Sequence, residues 1–350
     1  MRIAAAALLA LISIPVTTTT TTTPAAANSA TTCRTVSAKV AMTAGGAADQ
    51  RVAGTLCLPR GRATSVQLLI PGGFYGQAYW QMRGDRQRPS FVETMTAAGY
   101  ATLAIDRLGT GASSYPPSAR FQQDTHQIVI RQLIRQLREG RLGGPRFAKV
   151  VLVGHSLGST LARTLAAAHP AEVDGVILTG ESSVPNEAAF EQMGAGIYRA
   201  ADDPRFADRG LDDGYLTTRP GLRATWFYHR PNADPEVIAA DEAAKTTDVF
   251  PPGDSYTPPS INKSIQAPVL IVNGEHDKLL AGARSSSALR RQEAPFYGPR
   301  ARLETIVVPG TGHVLNAHRT APHWFAQARE WVDRRVGGAS AHGATNGAAQ

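Results

Sequence analysis

The segment Lys149-Val150-Val151-Leu152-Val153-Gly154-His155-Ser156-Leu157-Gly158-Ser159 decides how the rest of the chain is read. Four consecutive aliphatic residues, Val150 to Val153, predict a strand buried on both faces, as in a parallel sheet covered by helices. Beyond Gly158, Leu161 and Leu165 recur at helical spacing with Ala162, Ala166, Ala167 and Ala168, until His169-Pro170 ends the helix. A serine held between two glycines thus sits on a sharp strand-to-helix turn. Such a turn pushes the hydroxyl clear of the sheet edge, and side chains at 154 and 158 would collide with the neighbouring strand and helix. It also aims the amide of Leu157 and the positive end of the helix at any anion forming beside Ser156.

Working outward, the same strand-then-loop pattern repeats. Residues 65–70 read as a buried strand ending in Pro71-Gly72-Gly73-Phe74-Tyr75-Gly76. Residues 100–105 read as another, ending in Asp106-Arg107-Leu108-Gly109-Thr110-Gly111-Ala112-Ser113, where aspartate and glycines shape a turn and Asp106 is structural. Strands at 173–179, 268–272 and 303–308 follow; the last two end in Asn273-Gly274-Glu275-His276-Asp277 and Pro309-Gly310-Thr311-Gly312-His313. Residues 35–58 alternate like an antiparallel hairpin. Helices are predicted at about 90–98, 121–139 and 320–335. The fold class is therefore α/β: a mostly parallel central sheet with helices on both faces. From 181 to 265 the rhythm breaks into a proline- and aromatic-rich stretch, too long for a plain loop, which reads as a helical cap insertion.

The chain divides into a signal peptide (1–30), a first core part (31–180), the cap (181–265), a second core part (266–336) and a disordered tail (337–350). The signal reading rests on Arg2, the apolar run 3–16 and small residues before Ala27 and Ala30; it places the mature protein outside the cell. The weaker option is a retained anchor. Export bears on Cys33 and Cys57, the two cysteines of the chain, which in an oxidising compartment most simply form one disulfide; the alternative is two free thiols. The net charge is +8, but the basic residues are dispersed, and the run Arg131, Arg135, Arg138, Arg141 lies on one helical face opposite Ile130, Leu133, Ile134 and Leu137. That is a solvated helix face, not a nucleic-acid module. No apolar run reaches the roughly 18 residues a membrane helix needs, so stable membrane insertion is not expected. The histidines 313, 318 and 323 are five apart, which suits no helical chelate, and no phosphate-loop or dinucleotide glycine pattern occurs; neither metal nor cofactor is expected.

Ser156, Asp277 and His313 lie in three loops at strand ends, in the order serine, acid, histidine. With the motifs at 71–74, 106–113, 154–158, 274–277 and 310–313, the chain from about 35 to 335 resembles the α/β-hydrolase fold. More narrowly it is similar to exported actinobacterial hydrolases through residues 215–221 and 313–319. The resemblance implies that the three residues meet: Ser156 as nucleophile, His313 as base and Asp277, in the pattern Gly-x-x-Asp, as the acid that orients it. Glu275 and Glu181 are rival acids, and His318 and His323 rival bases set at a helix start rather than after a strand. Oxyanion donors are the amide of Leu157 and, by likeness to the family's His-Gly-x loop, that of Phe74, with Gly72 standing where the family has histidine. The implied activity is a secreted, monomeric serine esterase acting on a small acyl substrate (ester, lactone or thioester), with Trp226, Phe227 and Tyr228 giving an apolar acyl pocket. A peptidase or amidase, a cofactor-free perhydrolase and a carbon–carbon hydrolase share the machinery. A haloalkane dehalogenase or epoxide hydrolase needs aspartate at 156, and a non-catalytic binding protein would typically lack the serine or the histidine.

Overall fold

The computed structural model describes residues 31–251 and 257–340. The predicted signal peptide lies outside the described residues. Among the described residues, ten strands and eight α-helices follow in chain order: β1 (Thr32–Val40), β2 (Gln50–Leu58), β3 (Ser65–Ile70), α1 (Phe91–Ala97), β4 (Ala101–Ile105), α2 (Thr125–Glu139), β5 (Lys149–His155), α3 (Leu157–Ala168), β6 (Gly175–Thr179), α4 (Glu187–Gly194), β7 (Ile197–Arg199), β8 (Leu216–Thr218), α5 (Leu222–Trp226), α6 (Pro235–Ala243), β9 (Val269–Gly274), α7 (Ser286–Glu293), β10 (Glu304–Val308) and α8 (Ala321–Arg335). Eight of the strands form one sheet in the order β1-β2-β4-β3-β5-β6-β9-β10. The contacts β1–β2 and β2–β4 are antiparallel and the others parallel.

The continuous apolar run of β5 is explained by its place between β3 and β6. Val150 and Leu152 face the side packed by α2 and α3, against Leu133, Ile134, Leu161 and Leu165. Val151 and Val153 face the other side, with Phe91 and Met95 of α1 and Trp324, Phe325 and Trp331 of α8. Neither face meets water, so no polar alternation can appear. The α1 helix begins where Ser90 and Glu93 close a reciprocal capping box. Two of the arginines on α2 are paired: Arg131 with Glu172 (2.6 Å) and Arg138 with Asp174 (2.8 Å).

Cys33 and Cys57 are bridged, directly opposite one another in the β1–β2 register. Residues 181–265 carry α4, α5 and α6 together with the two-stranded sheet β7–β8, and Leu216 pairs with Asp248. The disordered tail expected from 337 needs correcting at its start. Gly337 and Gly338 adopt φ of 70° and 88°, conformations cheap only for glycine, and turn the chain back over the sheet. The Gly338 carbonyl then accepts the amides of Thr64 and Ser65, and the Ser340 amide donates to Gly99. Residues 341–350 lie outside the described part.

Candidate active site

Strands β3, β4, β5, β6, β9 and β10 all deliver their carboxyl ends to one edge of the sheet, and the predicted loops gather there. Ser156 has φ 50° and ψ −119°, a conformation rarely adopted by a residue with a side chain. Close packing forces it. A Cβ at Gly154 would lie 2.4 Å from the Gly158 carbonyl oxygen, and one at Gly158 would lie 2.2 Å from that of Ile70. The turn is tied to β6 by Ser156 N–H donating to Thr179 O at 2.8 Å. Ser156 and Leu157 stay half-exposed in an otherwise buried neighbourhood.

His313 reaches the same place from β10. Its Cε1 lies 3.0 Å from where a Cβ on Gly180 would stand, immediately after Thr179. Its Nδ1 is 2.8 Å from Asp277 Oδ2, and both side chains are almost fully buried. The other Asp277 oxygen accepts the Leu279 amide at 3.0 Å, so the carboxylate cannot swing away from the ring. The rival acids are engaged elsewhere. Glu275 accepts the Gly310 amide at 2.9 Å. Glu181 pairs with Arg163 at 2.8 Å, and burial, helped by the nearby Glu293, holds its carboxyl above the usual range despite that partner.

His155 adjoins Ser156 in sequence yet cannot serve as base. It is fully buried, stacks on Tyr79 with ring centroids 4.3 Å apart, and is held neutral because burial and the nearby His313 both disfavour its charge. Thr179 Oγ1 donates to Gly154 O, so it accepts from His155 Nδ1 at 3.2 Å.

The oxyanion side departs from expectation. Phe74 has φ 62°, and its N–H donates to Asp248 Oδ2 at 3.1 Å. That amide is occupied, not open toward Ser156. Asp248 comes from the cap and forms a fully buried pair with Arg107, Nη1 to Oδ1 at 3.0 Å. Arg107 also donates to Pro71 O (3.2 Å) and Gly72 O (2.9 Å). The Phe74 carbonyl accepts from Thr246 N–H (3.0 Å) and from Arg223 Nη1 (3.3 Å). Arg223 is itself buried against Asp241, Nη2 to Oδ1 at 2.7 Å. Gly72 lies hard against the serine turn: a Cβ there would be 3.2 Å from that of Ser156. Arg107, Asp248 and Arg223 escaped the sequence reading. The signal present in the sequence is the charged pair Asp106-Arg107 at the end of a buried strand. Asp106 does shape its turn, accepting the amides of Gln77 (2.7 Å) and Ala112 (2.9 Å).

Phe227 of the cap stands 5.5 Å from the His313 ring, centroid to centroid, and Phe250 stands 5.6 Å from Phe74. Phe250 is 40% exposed, so the mouth of the site is apolar. Trp226 lies under Lys278, and Tyr228 packs on His318. A cavity of about 320 Å³ opens nearby between Gly76–Ala78 and the cap residues Arg205, Phe206 and Lys245, but neither Ser156 nor His313 lines it. Among the described residues no cluster of three or more histidine, cysteine or acidic residues is placed to hold a metal ion, and no helix is long and apolar enough to cross a membrane.

Comparison with known proteins gives a family match, described as the alpha/beta hydrolase family, over residues 67–328. A 2-(acetamidomethylene)succinate hydrolase of Mesorhizobium japonicum is 28% identical over 231 residues, covering 62% of this chain and 73% of that protein. Among solved structures, a thermophilic esterase from Thermogutta terrifontis superposes with a TM-score of 0.58 at 18% identity, over 86% of this chain and 98% of the other. The enol-lactonase from Burkholderia xenovorans LB400 gives 0.57 at 15% identity, over 85% and 99%. At these identities the structural likeness speaks for the fold alone.

Proposed function

Since the chain belongs to the alpha/beta hydrolase family and is a hydrolase of that fold, we propose that it cleaves a carboxylic ester, lactone or thioester through an acyl-enzyme on Ser156. The observation that carries this reading is the buried Asp277–His313 hydrogen bond beside a serine held at positive φ.

A serine hydroxyl is a poor nucleophile until a base removes its proton. Asp277 accepts from Nδ1 of His313, which leaves Nε2 bare to take that proton and stabilises the imidazolium that results. Ser156 Oγ attacks the carbonyl carbon, and the electron pair moves to the carbonyl oxygen. The Leu157 amide, at the start of α3, is one donor to this oxyanion. With the Phe74 amide taken by Asp248, we assign the second to Gly73, the first amide after the contact between Gly72 and the serine turn. Each such donor contributes on the order of 10²–10³ in rate. Collapse of the intermediate releases the alcohol or thiol, protonated by His313. Water then attacks the acyl-enzyme with His313 as base, freeing the acid and restoring Ser156.

The aromatic mouth formed by Phe74, Phe250 and Phe227 suits an apolar acyl group. The disulfide and the apolar leader of the sequence support export to an oxidising compartment.

A fluorophosphonate probe and a panel of p-nitrophenyl esters, lactones, thioesters and aminoacyl amides test the proposal. Wild type should label and turn over esters; Ser156→Ala should do neither. Turnover retained by S156A would place the nucleophile elsewhere.

A further inference from the structure

The second histidine of the 313–318 stretch is fully buried and lies five residues beyond the base. Its two ring nitrogens can be assigned from their partners. Nδ1 of His318 is 2.8 Å from the Val314 carbonyl, which can only accept, so Nδ1 carries the proton. Nε2 is then a bare acceptor, and two backbone amides reach it: Gly312 N–H at 3.1 Å and His229 N–H at 3.0 Å. Gly312 precedes His313 and Val314 follows it, while His229 belongs to the cap. One neutral ring therefore brackets the base on both sides and fastens that bracket to the insertion.

The packing around it leaves little slack. Val314 N–H donates to Phe227 O at 3.1 Å, and Arg319 N–H to Asn232 O at 3.1 Å. Asn232 Nδ2 reaches back to Gly310 O at 3.0 Å. A Cβ on Gly312 would lie 2.6 Å from the Phe227 carbonyl oxygen, and one on Gly84 would fall 1.9 Å from that of His318.

We propose that His318 is a positioning residue for His313: as a neutral imidazole it holds the amide before the base, the carbonyl after it and the cap amide of His229 in one geometry. This rests on the reading of His313 as the base. It identifies the 227–232 strip of the cap as a fixed wall of the active site rather than a lid that lifts from it. A proton on Nε2 would replace two hydrogen bonds with donor–donor repulsion. Burial, first of all, keeps the ring neutral and lowers its pKa to about 4; nearby His229 and His276 act in the same direction, while the Val314 carbonyl and Asp277 oppose them. Tyr228 covers its face with ring centroids 5.4 Å apart, and Glu275 sits 3.5 Å from His276. Because the pKa is depressed below the ordinary imidazole value of about 6.5, the bracket is intact above that pH and is lost as pH falls through about 4.

The test uses the full chain, with His318→Phe, which keeps a ring but no acceptor, and His318→Gln, which restores an acceptor oxygen. Turnover of p-nitrophenyl acetate and amide hydrogen exchange at Gly312 and His229 are both measured. H318F should lose up to on the order of 10²-fold in kcat with KM nearly unchanged, as expected for a base displaced by a fraction of an ångström to one ångström. Exchange at the two amides should quicken, and H318Q should recover at least tenfold of the lost kcat. Wild-type kcat in H318F, or unchanged protection of both amides, overturns the proposal. Should H318F fail to fold, the wild type decides: on acidification, Gly312 and His229 must lose protection before the β5 amides, and loss together with or after them overturns it. A wild type that no fluorophosphonate labels defeats the serine-hydrolase reading, while the exchange data still judge the bracket.

Discussion

The two flanks of Ser156 are held by the same insertion through opposite chemistry. On the histidine side the cap uses backbone groups and one uncharged imidazole: Phe227 O, the His229 amide and Asn232 O meet the 312–319 segment. On the oxyanion side it uses two buried ion pairs, Asp248 with Arg107 and Asp241 with Arg223, which grip Phe74 by its N–H and its carbonyl. The difference follows from what each flank must do. The proposed base has to change its charge in every catalytic cycle, and Asp277 already supplies the one carboxylate that favours its charged form; neutral hydrogen bonds from the cap position it without adding a second bias. The oxyanion loop must only stay still, and a buried pair with every hydrogen bond satisfied is stiff although it adds little net stability. The 320 Å³ cavity lies on the ion-pair flank, which is where cap and core leave room.

The comparison can be broken from either side. The largest effect is expected on the histidine flank. Asp277→Asn should lower kcat on the order of 10⁴-fold while leaving the fold intact, since the amide favours the wrong tautomer of His313. Glu275→Gln is the control, with kcat changed by less than about tenfold because Glu275 holds the Gly310 amide and not the base. Steady-state kinetics on one ester decide it, and equal losses in both variants would move the acid to the shared loop as a whole. Next is the ion-pair flank. Asp248→Ala strands the buried Arg107 guanidinium and should cost about 3–5 kcal/mol in urea unfolding. A loss under about 1 kcal/mol would mean that the pair does not lock the loop. The smallest effect on catalysis belongs to neither flank. Removing the disulfide with Cys33→Ala and Cys57→Ala together should cost about 2–4 kcal/mol of stability yet leave kcat within about twofold, because the bridge lies on the β1–β2 edge of the sheet. A large change in kcat would show that the edge hairpin shapes the site.

Much of the framework is legible in the sequence. The runs at β3, β5, β6 and β9 are mainly apolar, with Gln67 of β3 a buried exception, because each is covered on both faces, and such runs advertise themselves. Gly154 and Gly158 were readable because only glycine survives the approach of backbone within 2.4 Å. The tail was misread at 337–340 since a small, polar segment looks disordered whether or not its glycines turn it onto a sheet. The Phe74 amide, expected as an oxyanion donor, turns out to be occupied for a different reason. An amide is present at every position, and only the partner facing it, here a carboxylate 174 residues away, determines whether it is free.

Read on its own, the chain settles the strand-loop rhythm, the strained serine and the acid and histidine at strand ends, because these depend on local sterics and on periodic burial. It picks Asp277 over Glu181 and Glu275 only through the Gly-x-x-Asp resemblance, and it does not give His318 its place beside His313. Those choices belong to packing. A carboxylate becomes an orienting acid, or a histidine a silent bracket, only when distant segments bring it one particular partner and exclude water from the pair.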